Sequence, residues 1–351
     1  MGFTRCVLSG FDEGQTMTAK RGILLVNLGS PDSPSVPDVR RYLNQFLMDP
    51  RVLDSPWLVR RFVVSAFILP TRPKKVAAAY ESIWTPDGSP LVVISRKVER
   101  LLREKVGMPV AVGMTYGNPS IESALRELLS ERAEEVFLIP MFPHYAMATF
   151  EAVVVAVEDT LKKLASTVRL VTKPPFYNEL EYIEALVASA KPHLDAGYDH
   201  LLFSYHGLPE RHLRKSDLTK SHCLMSAACC QTPSEAHKTC YRHQVLATTE
   251  MFVKKAGISN DNYSIAYQSR LGRDPWLKPS TDDVIKKLAE SGVKRLLIMC
   301  PSFVADCLET LEEIGDEGKE EFLEHGGEEF ELVPCLNDHP KWIDALTTWC
   351  K

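Results

Sequence analysis

The sequence predicts an α/β protein of two similar Rossmann-like lobes, each a four-stranded parallel sheet flanked by helices, with a cleft between them. Three observations predict it. Short unbroken apolar runs alternate with amphipathic stretches along the chain, the rhythm of βαβ units and not of hairpins. The runs fall into two sets of four. The segments that close the third strand of each half also echo one another: "IPMFPHYAMAT" (139–149) aligns without gaps with "CPSFVADCLET" (300–310), matching Pro140, Phe142 and Thr149 to Pro301, Phe303 and Thr310.

Taken in order, the first set is Gly22 to Leu28, Val110 to Thr115, Glu135 to Pro140 and Val168 to Thr172. The second is His200 to Ser204, Tyr263 to Gln268, Arg295 to Cys300 and Phe330 to Pro334. The run Leu201-Leu202-Phe203 is short, unbroken and bounded by turn residues, as a strand buried on both faces of a parallel sheet should be. Helical patterns intervene, for example Ser120 to Ala133 and Thr281 to Ser291. The chain therefore divides into an N-terminal tail (1–20), a first lobe (21–175) and a second lobe (176–337). A last helix near Pro340 to Cys350, within 338–351, is expected to cross back onto the first lobe.

A chain of 351 residues is comfortable for two domains, and 45% hydrophobic with 25% charged residues is ordinary for a globular protein. The net charge of -5 and the lack of a basic stripe argue against nucleic acid. The longest apolar stretches, such as Phe62 to Leu69, fall well short of the roughly 20 residues that span a bilayer. Asp12 and Glu13 follow Cys6 with no h-region or cleavage site, so a cytoplasmic protein without a secretion signal is expected. The strand and glycine turn "LLVNLGSP" (24–31) lack G-x-G-x-x-G spacing, and no Walker loop is present, so no dinucleotide site is expected.

Two features carry chemistry. In "LLFSYHGLPE" (201–210) an apolar strand ends by presenting His206 before Gly207 and Pro209 stop it. Ligands of open α/β sheets sit beyond the carboxyl ends of strands, so this side chain faces a cleft; the alternative is a histidine merely hydrogen-bonded at a strand end. After the matching strand of the same lobe, Glu309, Glu313 and Glu317 stand at i, i+4 and i+8, on one helix face that drifts about 40° per step. A local π-type widening removes part of that drift. Glu320, Glu321 and Glu324 read as a solvated face, whereas Glu309 lies within about one turn of the strand end. A histidine and a carboxylate across a cleft can take protons or hold a divalent cation, and like charges in file raise each other's pKa, which suits a proton relay. Asp306 is either the helix N-cap or a partner that orients the site.

Four of the nine cysteines, Cys223, Cys229, Cys230 and Cys240, give C-x5-C-C-x9-C between the His206 loop and the next helix, an insertion of about 218–242. In a reducing compartment such clustering points to a metal or cluster before disulfides. The spacing is not the C-x2-C pair of common zinc modules; four thiolates hold either zinc or a [2Fe–2S] cluster.

These motifs resemble the ferrochelatase family. "SYHGLP" (204–209), "FVADCLETLEEI" (303–314), "YQSRLGRDPWLKPSTDD" (267–283) and "NLGSPDSPSVPDVRRYLNQFLMDPRV" (27–52) carry the resemblance, which covers roughly residues 21 to 345. It implies a two-lobed chelatase fold and insertion of Fe(II), as substrate, into a porphyrin with release of two protons. His206 matches the family's invariant histidine, which accepts a pyrrole proton or ligands the incoming iron. Glu309 matches the essential glutamate, with Glu313 and Glu317 continuing a path and Asp306 retained. Cys307 stands where some relatives have histidine, and Thr115 where some have arginine. Tyr116 matches a pocket tyrosine against the opposite porphyrin face. Arg72, Tyr80, Ser89 and Ser269 match residues that contact porphyrin carboxylates or ring edges, and Trp276 either walls the pocket or fills a core. Residues 45–70, with Trp57, Arg51, Arg60 and Arg61, become a lip over the pocket able to rest on a membrane surface, the alternative being an ordinary core helix.

In many ferrochelatases cysteines from a C-terminal extension plus one earlier residue hold a [2Fe–2S] cluster. Here no such extension is read and the earlier position is Met147, so the sequence resembles a bacterial subset with all four ligands in an internal insertion; zinc is the competitor. The preferred function is Fe(II) insertion into protoporphyrin IX, the last step of haem synthesis. Alternatives within enzymes are a coproporphyrin ferrochelatase or another tetrapyrrole metal chelatase. From another class, the alternative is a haem or metal carrier with the cluster as sensor, which needs no proton acceptor such as His206. Oligomeric state is not legible.

Overall fold

The computed structural model describes residues 20–351 apart from 271 and 273; the predicted tail, except for Lys20, lies outside the described residues. The eight strands are β1 (Arg21–Ser30), β2 (Val110–Gly117), β3 (Glu135–Pro140), β4 (Arg169–Thr172), β5 (His200–His206), β6 (Tyr263–Gln268), β7 (Arg295–Met299) and β8 (Glu329–Leu332). They form two four-stranded sheets, ordered β2-β1-β3-β4 and β6-β5-β7-β8, with every pairing parallel. The second order is the first shifted by four strands, so the echo in the sequence is an echo of topology. Both echoing segments also lead into widened helix, Met147–Glu151 in one lobe and Leu311–Gly318 in the other.

Each central strand is buried on both faces, as its unbroken apolar run requires: Ile23 to Val26 and Leu201 to Phe203 are at most 1% exposed. The structure extends β5 two residues beyond the predicted end, so that His206 is its last residue, paired with Gln268 at the tip of β6. Helices begin where serine side chains cap them: Ser120 accepts from the Ser123 N–H and Ser280 from that of Asp283. At the tip of β1, Gly29 has φ +110°, and a Cβ there would lie 1.8 Å from the Tyr116 carbonyl oxygen. Only glycine lets β1 and β2 approach this closely at the mouth of the cleft.

Separate apolar layers cover the outer faces of the two sheets. The inner layer is common to both lobes: Leu25, Leu102 and Val112 of the first are continuous with Tyr182, Phe203 and Phe252 of the second. The C-terminal helix Pro340–Cys350 wedges into this layer, packed on Leu180–Ala196 from one lobe and on Pro90–Val106 from the other. Its Trp342 is fully buried, with ring centroids 5.7 Å from Phe176, 6.3 Å from Tyr182 and 5.6 Å from Trp349. A polar seam runs beside it. The Nε2 of His144, from the first lobe, lies 3.0 Å from the Thr248 hydroxyl of the second, and burial pushes this imidazole down to about 3, keeping it neutral.

Replacing Trp342 with alanine removes the centre of this shared layer. The expected loss is about 3–5 kcal/mol of stability, read as a lower urea midpoint; a change within error would show that the wedge helix does not join the lobes energetically.

Candidate active site

The carboxyl ends of β5 and β6, the acidic helix after β7 and the helix Arg72–Ile83 of the first lobe enclose a cleft of about 520 Å³. It is lined by His206, Ser269, Glu309, Glu312, Glu313 and Glu317 on one side and by Thr71, Arg72 and Lys75 on the other. His206 stands at the tip of β5 with Nδ1 2.7 Å from the Gly207 carbonyl oxygen. A carbonyl can only accept, so Nδ1 carries the proton and Nε2 keeps a free lone pair. Gly207 is needed beside it, since a Cβ there would meet the Gln268 carbonyl at 2.7 Å and the Trp276 ring at 3.2 Å.

The acidic helix begins as one α turn, Leu308–Thr310, and opens into a π-helix over Leu311–Gly318, a widening that removes part of the drift in the i+4 file of glutamates. Glu313 is held by the Ser269 hydroxyl, which donates to its Oε2 at 2.6 Å, and by the Gln268 amide at 3.5 Å. Burial raises its carboxyl above the usual range, and the charge of Glu309 adds to this against the pull of Ser269 and His206. Glu312 is raised as well, by burial and then by Glu317 and Glu313. Glu317, farther out, approaches Lys75 at 3.9 Å.

Glu309 also borders a second, smaller chamber of about 30 Å³ between the lobes, lined by Ser30, Tyr42, Tyr80, Ser89 and Cys307 among others. The Ser30 hydroxyl is buried without a protein partner. Burial raises the phenols of Tyr42 and Tyr80, with further contributions that include the Glu309 charge. Tyr116 is buried near this region, its hydroxyl 3.1 Å from Asp49 Oδ2 and its ring 5.4 Å from Phe46.

Of the residues singled out in the sequence, His206, Glu309, Glu313, Arg72 and Ser269 meet at the cleft, and Tyr80 and Ser89 at the inner chamber. Asp306 lines neither. The helix cap is Cys307, and the Asp306 carboxylate accepts from the Thr310 hydroxyl, the Cys335 N–H and the Asn337 amide, at 3.1, 3.2 and 2.6 Å. It orients the start of the acidic helix from behind. Trp276 also lies outside both linings, its ring over Gly207 and its backbone bridged to Pro209. Glu312 and Lys75 were missed: Glu312 follows Glu309 at i+3, a spacing that signals a shared face, but nothing in the sequence brings Lys75 across from the other lobe.

Residues 45–70 do not form a core helix. A short helix, Trp57–Val63, continues into a π turn, Val64–Ile68, and exposes Trp57, Leu58, Phe62 and Phe67 by 59 to 74%. Arg60 turns inward and donates to the Leu53 and Ser55 carbonyls at 3.1 and 2.7 Å. Asp54, ahead of the helix, is gripped by Arg211 and Lys215 of the second lobe. Burial works against its charge, but these two cations hold the carboxyl down at about 2.

The four clustered thiols are 2–6% exposed. Cys229 and Cys230 Sγ are 4.0 Å apart, and Cys240 is the N-cap residue of the helix Tyr241–Ala256. Interaction with Cys230 lowers the Cys240 thiol below its usual range. Asp217 accepts from the backbone N–H groups of Thr219, His222 and Cys223 at 2.7–2.9 Å. His222 and His237 donate to the Cys229 carbonyl, and His243 to that of Cys230. Among the described residues, no three His, Cys, Asp or Glu side chains are arranged to hold a single metal ion.

Comparison with known proteins agrees with this fold. A profile of the ferrochelatase family matches residues 20–351. Ferrochelatases of Stutzerimonas stutzeri (strain A1501) and Pseudomonas fluorescens (strain Pf0-1) are 51% and 52% identical to this chain, each over 94% of it and 97% of their own length. That of Opitutus terrae is 49% identical over the same shares. Among solved structures, the sirohydrochlorin chelatase SirB from Bacillus subtilis subspecies spizizenii in complex with cobalt superposes with a TM-score of 0.52 at 10% identity, covering 94% of this chain and 93% of that one. SirB from Bacillus subtilis with Fe3+ gives 0.51 at 12%; at such identities these two speak for the fold alone. A chain that follows the family profile from residue 20 to its end, and shares about half its residues with ferrochelatases of several genera, belongs to the ferrochelatase family.

Proposed function

We propose that the cleft is where this ferrochelatase, an enzyme of the lyase class, takes two protons from protoporphyrin IX and places Fe(II) in the ring, the closing step of haem synthesis. The observation that carries this reading is the His206 imidazole, whose Nε2 lone pair is left free by the Nδ1 bond to Gly207, in one cleft with Glu309 and Glu313. The two pyrrole N–H bonds break and bonds from nitrogen to Fe(II) form; two protons leave and no electron moves. His206 Nε2 takes the first proton as general base. Glu309 passes protons outward or meets the metal, and Glu313, its carboxyl raised above the usual range by burial, stands next in the file toward Glu312 and Glu317. Arg72 supplies a cation for porphyrin carboxylates at the cleft edge. Tyr80 and Ser89 offer hydroxyls from the inner chamber, and Tyr116, which lines neither cavity, acts from behind them with its hydroxyl on Asp49. Ser269 acts through Glu313, which takes its hydroxyl. Asp306 acts by orienting the helix.

The exposed apolar lip, with Arg61 alongside, supports shallow contact with the membrane surface from which an apolar porphyrin would arrive. Cys223, Cys229, Cys230 and Cys240, all buried within one insertion, would hold a [2Fe–2S] cluster, with zinc as the competitor. When bound, such a cluster supplies a covalent staple and one-electron redox chemistry.

In anaerobic assays of Fe(II) insertion, followed by loss of free-base fluorescence, wild type is expected to turn over, and His206→Ala and Glu309→Gln to fall by about 10²–10⁴. Normal porphyrin binding without turnover by wild type would favour a carrier. Cys229→Ser should bleach visible cluster absorption and lower the melting temperature; unchanged spectra and melting refute the cluster. Wild type should float with anionic liposomes, and Trp57→Ser with Phe62→Ser should not; wild type left wholly at the bottom removes the membrane contact.

A further inference from the structure

One buried polar side chain at the cleft has no role in the chemistry above. Gln268, the last residue of β6, is 2% exposed. Its Oε1 accepts from the Ser204 hydroxyl at 2.8 Å, and that hydroxyl also meets Thr281 Oγ1 at 2.8 Å. Its Nε2 donates to the Glu309 carbonyl oxygen at 2.7 Å and reaches Glu313 Oε2 at 3.5 Å. Its own carbonyl takes the Gly207 N–H at 2.8 Å, and it pairs in register with His206. The amide orientation is therefore fixed: flipped, it would set oxygen against the Glu309 carbonyl.

The bond to Glu309 falls where the helix changes character, from the α turn Leu308–Thr310 to the π stretch Leu311–Gly318. A side chain inserted into the i→i−4 ladder is one of the few causes of such a break, and π-bulges concentrate at functional sites. The next residue, Ser269, is held at φ +65° while its hydroxyl binds Glu313. The end of β6 thus grips the acidic helix twice, once by backbone and once by carboxylate.

We propose that Gln268 is the positioning residue of this site: by occupying the Glu309 carbonyl it holds the acidic helix in its widened register, and by its strand pairing and its bond to Ser204 it fixes that register to His206. The inference rests on the ferrochelatase reading. Gln268 touches neither substrate nor reacting atoms; it keeps Glu309 and Glu313 in line with the histidine on the other element.

The test compares wild type with Gln268→Met, which keeps size but removes the side-chain hydrogen bonds, and Gln268→Glu, which keeps the acceptor and donates only when protonated. Glu313 is surrounded by His206 at the tip of β5, Ser269 after β6, Cys300 after β7, Arg72 and Lys75 across the cleft, and Glu309, Glu312 and Glu317 on its own helix, so a shift of its alignment moves the acid limb of the kcat–pH profile. Gln268→Met is expected to lower kcat about a hundredfold, with KM for protoporphyrin near that of wild type and the acid limb displaced. Gln268→Glu should recover activity as pH falls and lose it as pH rises, opposite to the wild-type acid limb. If Gln268→Met does not fold, this inverted dependence in Gln268→Glu decides alone. Wild-type kcat and pH profile in Gln268→Met, or a Gln268→Glu profile parallel to wild type, would overturn the inference and leave the chelatase reading intact; absence of turnover in wild type overturns that reading instead.

Discussion

Strands buried on both faces leave polar chemistry one exit, and the site follows from that constraint. In β1 and β5 the fully buried runs Ile23–Val26 and Leu201–Phe203 are apolar throughout, and the polar residues that follow them, Asn27 and Ser30 in one and Ser204 and His206 in the other, stand toward the carboxyl end. His206 sits at such a tip. The matching tip of β1 carries Ser30, and the helix that follows β7 in sequence starts beside both. Because the two lobes repeat one strand order, both sets of tips open on the same side and the polar residues of each lobe converge. The cleft is thus the place where two apolar sheets run out, before it is a place of catalysis.

How far this could be read in the sequence depended on the range of the interaction. Strands and capped helices are local, and their residues declared them; β3 and β6 have their expected bounds. The file Glu309, Glu313, Glu317 was legible because its spacing is internal to one helix, whereas that spacing left the π widening open. What hid was pairing across elements. Ser269 reads as a residue for the substrate, yet its hydroxyl is taken by Glu313. Asp306 reads as a cap or as a partner that orients the site, but its own partners Cys335 and Asn337 come from a loop some thirty residues on. Arg60 reads as one of three arginines in the stretch 45–70, and only the fold shows it turned inward onto two carbonyls. A residue's type announces its chemistry, but only the fold decides which partner uses it.

The cysteine insertion shows a second way of making order. Between the helices Glu210–Ser216 and Tyr241–Ala256 it has no regular structure beyond one 3₁₀ turn, Glu235–Lys238. Its backbone is instead satisfied by side chains: Asp217 gathers three N–H groups, and three histidines hold the carbonyls of the adjacent Cys229 and Cys230. Burial resists the charge on Asp217, but the N–H groups aimed at it keep its carboxyl well below the usual range. Gln244 then ties the insertion to the first lobe, donating to the His237 and Lys238 carbonyls while accepting from the Tyr145 N–H.

The inner apolar layer common to both lobes has a consequence for how the enzyme can move. Many two-lobed proteins admit and release ligands by rocking one rigid body against the other about a hinge. Here that motion would tear Trp342 and its neighbours out of a packed core, because the wedge helix is bonded by contact to both halves. Opening is left to the segment held by less: the lip, fastened to the second lobe through Asp54 by two surface cations. Such ion pairs are screened by salt and individually weak. Salt therefore acts on the seam between this segment and the second lobe and leaves the apolar frame behind it untouched.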